Sequence, residues 1–454
     1  MDLAKDFTPE PEYDFVVIGG GPAGATFSTV VAKEGGHSVL VLEGSKFPRF
    51  TVGEIIAPTA IWRVWNRLGL TKETLDDLFI RKWNGGWIAP SRECFSFDQD
   101  VFPGDHRCEA YVYSFERSIY DDFLLNYARD NGVTALEEAW VEDVLFDENG
   151  RMNGVRFTRH GVSHEVKCKM VVDASGRVNY LGKKLGLRQE IAKLKSFAVF
   201  AHWEGAQREE GKAEGDVRII YGKDMWCWWA PLKGDRTSVG VVANRDIFWD
   251  EYCEIGSEAF YDKYVVKNWF VGERLENAKR VTNFKPAPKP GSEGADYAGY
   301  HYYSAELVGD GWAMVGDAGG FIDPIFSAGL HISQTAGEKL ADVCLAGMKD
   351  GDLSKERLQR DYEEWYIREF KEVLSHIQAF AELYFDERFV NLFVRLGNAR
   401  ERIRRMYIDT FIAFDKDAII EYSKFLKTKF KFNQDSFAEE REAKKQEMAG
   451  ADAS

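Results

Sequence analysis

The stretch FIDPIFSAG (Phe321 to Gly329) sets an Asp-Pro turn and a Ser-Ala-Gly step directly before a helical run. Amides at a helix start lack partners within the helix and point the same way. Such a step can therefore hold something negative without a cationic side chain. A second constellation lies near the amino end, where Gly19, Gly21 and Gly24 satisfy G-x-G-x-x-G and Glu43 follows Gly24 by 19 residues. Gly19 permits a tight turn, Gly21 lets backbone approach a pyrophosphate, and Gly24 lets helix and strand pack closely. The acid is placed to accept hydrogen bonds from ribose hydroxyls. These residue types at this spacing predict a dinucleotide site.

The elements that must position these residues follow from periodicity. YDFVVIGGGPAGATFSTVVAKEGGHSVLVLEGS reads as strand, tight turn, helix and strand, with Glu43 ending the second strand. Ile61, Trp65 and Leu68 recur at helical spacing, and residues 117 to 132 form a second amphipathic helix. KMVVDASGR (Lys169 to Arg177) ends a strand in a small polar turn. Between about 190 and 285, SFAVFAHWEG, DVRIIYG and TSVGVVAN are strand-like and predict a separate sheet inserted between pieces of the nucleotide domain. Trp226 and Trp228 in WCWWAP alternate, so on a strand they share a face. From 355 to 430 the chain reads as almost wholly helical, and the charged end, AEEREAKKQEMAGADAS, as a flexible tail. The fold class expected is α/β.

Composition excludes several classes. The chain of 454 residues carries a net charge of −15, which disfavours a nucleic-acid partner. Six scattered cysteines without C-x-x-C suggest neither a disulfide framework nor a zinc site, so no metal is expected. The amino end is polar and no long apolar run is present, so neither a signal segment nor a membrane span is expected. A cytoplasmic enzyme is the reading that fits.

GGGPAGA, DASGR and VGDAGGFIDP stand in an order that resembles flavoprotein monooxygenases of the para-hydroxybenzoate hydroxylase fold. Finer motifs resemble the flavin-dependent halogenases of that class. FPRFTVGE is similar to their FPR-x-H-VGE segment, with Thr51 in place of His. WCWWAP is similar to W-x-W-x-I-P, with Ala230 in place of Ile. FIDPIFSAG fits F-x-x-P-x-x-S-x-G at every fixed position. The resemblance covers residues 13 to about 350.

What it implies is specific. FAD would be held by Gly19, Gly21, Gly24, Glu43, Arg49, Arg117, Asp317 and Pro324, with Asp317 on the ribityl chain. The amides of Ala328 and Gly329 would hold chloride or bromide. FADH2 and O2 would give a flavin hydroperoxide, whose attack by halide releases hypohalous acid. Lys82, in LFIRKWNGGWIAP, occupies the place of the essential lysine of similar halogenases, and desolvation would lower its pKa. Trp226 and Trp228 would wall the passage between flavin and lysine, and Ser327 would belong to the catalytic set. The implied organisation is FAD-binding parts at 1–75, 117–185 and 291–350, substrate-domain strands at 76–116 and 186–290, a helical region at 351–433 and a tail at 434–454.

Phe326 stands where tryptophan halogenases carry a Glu, which disfavours indole and leaves phenols or pyrroles, free or tethered to a carrier protein. No second G-x-G-x-x-G is visible, so FADH2 is expected from a separate NAD(P)H-dependent flavin reductase. Alternatives remain: WWAPLKGDRTSVGVV also resembles geranylgeranyl-reductase-like flavoproteins, and an aromatic hydroxylase or a non-catalytic flavin sensor would share the nucleotide loop.

Overall fold

The structure, a computed structural model, describes residues 8–56, 60–98, 111–191, 196–284, 301–321, 323–368 and 387–411. The strand Glu12–Ile18 runs parallel between Val39–Leu42 and Val162–Asp173, with Phe15 opposite both Val39 and Met170. A parallel strand covered on both faces needs continuous apolar sequence, which DFVVI supplies. Thr134–Leu136 extends this sheet on one side, and Trp312–Met314 followed by Val308–Gly309 extends it on the other. Strand, Gly-rich turn and the helix Pro22–Gly35 form the predicted unit, with Pro22 opening the helix and Gly36 closing it at φ 66°.

A second sheet of seven strands carries the segments expected as an inserted sheet. Its strand Met225–Pro231 lies between Val217–Gly222 and Arg236–Asn244, and every residue of it is buried. Period-two alternation sends Trp226, Trp228 and Ala230 into the large core shared with the nucleotide domain. Met225, Cys227 and Trp229 go into a smaller core beneath the helices Arg245–Tyr261 and Trp269–Leu275. Asn84–Ile88 joins this sheet in parallel with Val217–Gly222, while Ile80–Lys82 pairs with Val112–Ser114 in a separate two-stranded ribbon.

The helix Gly329–Asp350 packs along Pro22–Gly35. Glu387–Ala399 and Glu401–Phe411 cover the outer strands of the second sheet, where Phe393 stacks on Trp87 at 4.7 Å and on Tyr407 at 4.0 Å. The rest of the helical region and the expected tail lie outside the described residues. Among the described residues no cysteine is paired, no group of side chains could hold a metal, and no helix is long and apolar enough to cross a membrane.

Candidate active site

Three sequence blocks meet around the amino end of Pro22–Gly35. Gly19, at φ 104°, lies so close to Ala174 that a Cβ would come within 2.5 Å of its carbonyl oxygen. Gly24 presses on Gly19, where a Cβ would meet the Gly19 oxygen at 2.1 Å. Gly316, at φ 63°, would set a Cβ 2.9 Å from that of Ala23. Thus GGGPAGA touches both DASGR and VGDAGG, and each contact is possible because a glycine stands there. Gly21 differs: a Cβ there would meet only Arg49 Nη2, at 3.6 Å, which leaves backbone facing open space.

Charged groups line that opening. Glu43 is buried, its Oε2 accepting the Gly20 amide at 2.9 Å and its Oε1 the Ser45 amide at 2.9 Å. Arg117 clasps Asp121 with Nε at 2.7 Å and Nη2 at 2.9 Å, and donates to the Val52 carbonyl at 3.1 Å. Arg49 reaches the same buried Asp121 at 3.3 Å and Glu43 at 3.6 Å. Burial opposes the charge of Arg117, but Asp121 more than offsets it, with help from Asp317 and Glu54, so its pKa is raised.

Asp317 sits on the turn Gly316–Ala318. Tyr302 donates to its carbonyl at 2.7 Å, Tyr366 donates to the Gly316 carbonyl at 2.6 Å, and Ser333 reaches Oδ1 from the long helix at 3.4 Å. Burial pushes its carboxyl up to about 6 against the pull of Arg177 and Arg117. A buried carboxyl with this much charge can accept from hydroxyls, which suits a polyol chain.

The turn before the long helix has its own scaffold. Asp323 caps the turn Pro324–Phe326 by accepting the Ile325 amide at 3.0 Å. Ser327 takes the left-handed conformation at φ 52° and returns its amide to the Pro324 carbonyl at 2.9 Å. The chain then enters Gly329–Asp350 through Ala328, so the first-turn amides leave the helix end in one direction. A Cβ on Gly329 would meet nothing within 4 Å.

Lys82 is 3% exposed, and its Nζ donates to the Ile56 carbonyl at 2.7 Å. Burial pulls its ammonium down to about 7, opposed by Asp216. Trp226 and Trp228 share one face of their strand, as alternation predicted, with ring centroids 6.0 Å apart. Trp228 donates from Nε1 to Ser238 at 3.1 Å, and its ring fills the space over Gly240.

The VGE motif carries no sign of a partner for Glu54. Glu54 is buried against His202, with Oε1 2.7 Å from Nε2, so this segment is fastened to the second sheet. Strand alternation in SFAVFAHWE put Phe200 and His202 on one face and could have raised the histidine. Asp216 and Asp121 gave no signal at all.

A Rossmann-type nucleotide sheet, a glycine-rich turn with open space before it and a late Asp turn joined to the same loop define an FAD-dependent oxidoreductase. The model for FAD-dependent oxidoreductases accordingly matches residues 14–181. The tryptophan halogenase model matches residues 105–388, more than half of the chain, and the protein belongs to that family. The chain is 29% identical over 345 residues to the 1H-pyrrole-2-carbonyl-(peptidyl-carrier protein) brominase of Pseudoalteromonas luteoviolacea, covering 75% of this chain and 79% of that one. It is 28% identical over 368 residues to the corresponding chlorinase of Pseudomonas fluorescens, covering 76% and 78%. The solved structure of the myxobacterial chondrochloren halogenase CndH superposes with a TM-score of 0.73 at 29% identity, covering 91% of this chain and 96% of that one. The protein is a flavin-dependent halogenase using FADH2, O2 and halide, and the reductase and hydroxylase alternatives are set aside.

Proposed function

We propose that the protein halogenates an electron-rich aromatic ring, a pyrrole or a phenol, delivered free or on a carrier protein, and that Lys82 carries the halogen to it. The observation that carries this reading is a lysine almost wholly withdrawn from water, with an ammonium pulled down to about 7 by burial. A lysine with its proton affinity lowered in this way has more of the free amine, the nucleophilic form, than an exposed one at neutral pH. Relatives named for carrier-bound pyrrole support the acceptor class. So does Phe326, which stands where an indole-activating carboxylate would otherwise be expected.

FAD would lie along the glycine loop, with Gly21 at the pyrophosphate, Glu43 at the ribose, Arg49 and Arg117 beside it and Asp317 at the ribityl chain. Reduced FAD with O2 supplies the oxidising equivalent that turns halide into hypohalous acid. The amides of Ala328 and Gly329 would hold the halide, with Pro324 and Ser327 fixing the turn that aims them. Trp226 and Trp228 would form an apolar wall that keeps water and acceptor away from the oxidant. Lys82 as free amine then attacks hypohalous acid: an N–halogen bond forms, the O–halogen bond breaks, and one amine proton leaves with the oxygen as water. Transfer of the halogen to a ring carbon, with loss of the ring proton, restores the amine.

The division into FAD-binding parts and substrate-domain strands at the boundaries given above belongs to the same proposal, as does supply of FADH2 by a separate NAD(P)H-dependent reductase. The test is Lys82→Ala assayed with FADH2, O2, bromide and a panel of pyrroles and phenols. FAD binding and oxidant release should persist while halogenated product falls by at least about 100-fold. Product formation at the parental rate would remove the lysine from the mechanism.

A further inference from the structure

We propose that Asp216 is a positioning residue for Lys82, the buried carboxylate that determines where the proton of the halogen-carrying amine rests. The inference rests on the reading of Lys82 above and adds to it a residue that no motif contains.

The placement comes from the backbone. Val217 pairs with Gly85 in parallel register, so Asp216 falls level with Asn84, two residues beyond Lys82. The two segments approach closely enough that a Cβ on Gly215 would fall 2.1 Å from the Arg81 carbonyl oxygen. Asp216 is 5% exposed. Its Oδ2 accepts from Arg218 at 3.2 Å, and the Asn84 amide faces the same carboxylate. Oδ1 is buried without a hydrogen-bond partner. Leaving a carboxylate oxygen dry and unpaired is costly, and such atoms call for an explanation beyond folding.

Other charged and titratable groups around Lys82 are engaged elsewhere. Arg81 and Tyr113 are both bonded to Asp76, and Arg81 also lies over the Tyr111 ring. Glu54 is taken by His202, and Lys212 lies over the Trp83 ring. Arg218 is held by Asp216 itself. Arg218 occupies only Oδ2 of Asp216, so its unpartnered Oδ1 is the acid oxygen left over in this group. Burial lowers the affinity of Lys82 for its proton and raises that of Asp216, so the two shift toward each other.

The experiment has two readouts on FAD-loaded enzyme. One is an NMR titration of the Lys82 Nζ in protein grown on isotope-labelled lysine; the other is the pH profile of product formation. Removing a negative neighbour makes an ammonium easier to deprotonate. Asp216→Asn is thus expected to move the Lys82 midpoint, and with it the acid limb of the rate profile, down by about 1 pH unit. Asp216→Glu should restore most of the shift, which a merely structural role would not do. An unchanged Lys82 midpoint in a folded Asp216→Asn protein overturns the proposal. Should Lys82→Ala still yield product while the midpoint moves, the carboxylate–amine coupling stands and the halogen-carrying role falls.

Discussion

Lys82 is an energetic liability to the fold. Burying an ammonium costs free energy that the carbonyl bond to Ile56 only partly offsets. The sign of the pH effect follows from its lowered affinity. Between about 7 and the ordinary value of 10.5 the unfolded chain binds a proton that the folded chain releases. Stability from this group therefore rises with pH across that window. Lys82→Met removes the penalty and keeps the volume. Flavin-free Lys82→Met should melt at least about 3 °C above the parent at pH 7, with the gap closing toward pH 10. Calorimetry at three pH values checks this, and a lower melting point at pH 7 would mean that the Ile56 bond dominates. The proposed role of Lys82 thus works against stability, as expected at sites that hold groups away from their preferred charge.

At the scale of elements, the turn Pro324–Phe326 and the helix Gly329–Asp350 behave as one piece. Asp323 caps the turn, Ser327 reverses the chain, and the helix begins with its amides facing outward. Because a Cβ on Gly329 meets nothing within 4 Å, bulk there fills space without crowding protein. Gly329→Val is therefore expected to leave the melting temperature within about 2 °C of the parent while raising the bromide KM by about 10-fold or more. A bromide titration of product formation, paired with a melt, distinguishes this from damage to the fold. Parental bromide dependence would place the halide elsewhere. The opposite situation holds at Gly24, where the Gly19 oxygen leaves no room for any side chain.

For the molecule as a whole, the question is how the nucleotide sheet and the second sheet are held in register. Glu54, on the segment that follows Val39–Leu42, meets His202 of the second sheet in the dry interior, and the His202 and Phe50 ring centroids lie 5.2 Å apart. Replacing His202 by Ala leaves a buried carboxylate without its partner. Loss of about 1–3 kcal/mol is expected, seen in a denaturant titration as a lower midpoint with an unchanged slope. A midpoint equal to the parent would mean that water replaces the imidazole. A second whole-molecule expectation concerns electrons. Purified protein with NADH and FAD should consume NADH no faster than free flavin does, and adding a flavin reductase should start halogenation. Rapid NADH loss without the reductase would contradict the two-component arrangement.

Much of the architecture is written locally. The demands of a tight turn, of a helix lying against a strand and of a dry parallel strand are met by Gly19, Gly24 and DFVVI within a few dozen residues. Alternation in WCWWAP likewise determined that Trp226 and Trp228 share a face, because strand period depends on nothing distant. Lys82 could be named from its motif, but its chemical state could not. The affinity of an amine for its proton depends on how much water surrounds it and on which charges lie across space. Only the tertiary structure buried that lysine, brought the segment before Val217 alongside the one that follows it and brought Glu54 to a histidine 148 residues away. Dehydration and through-space charge are products of assembly, so no periodicity along the chain can report them.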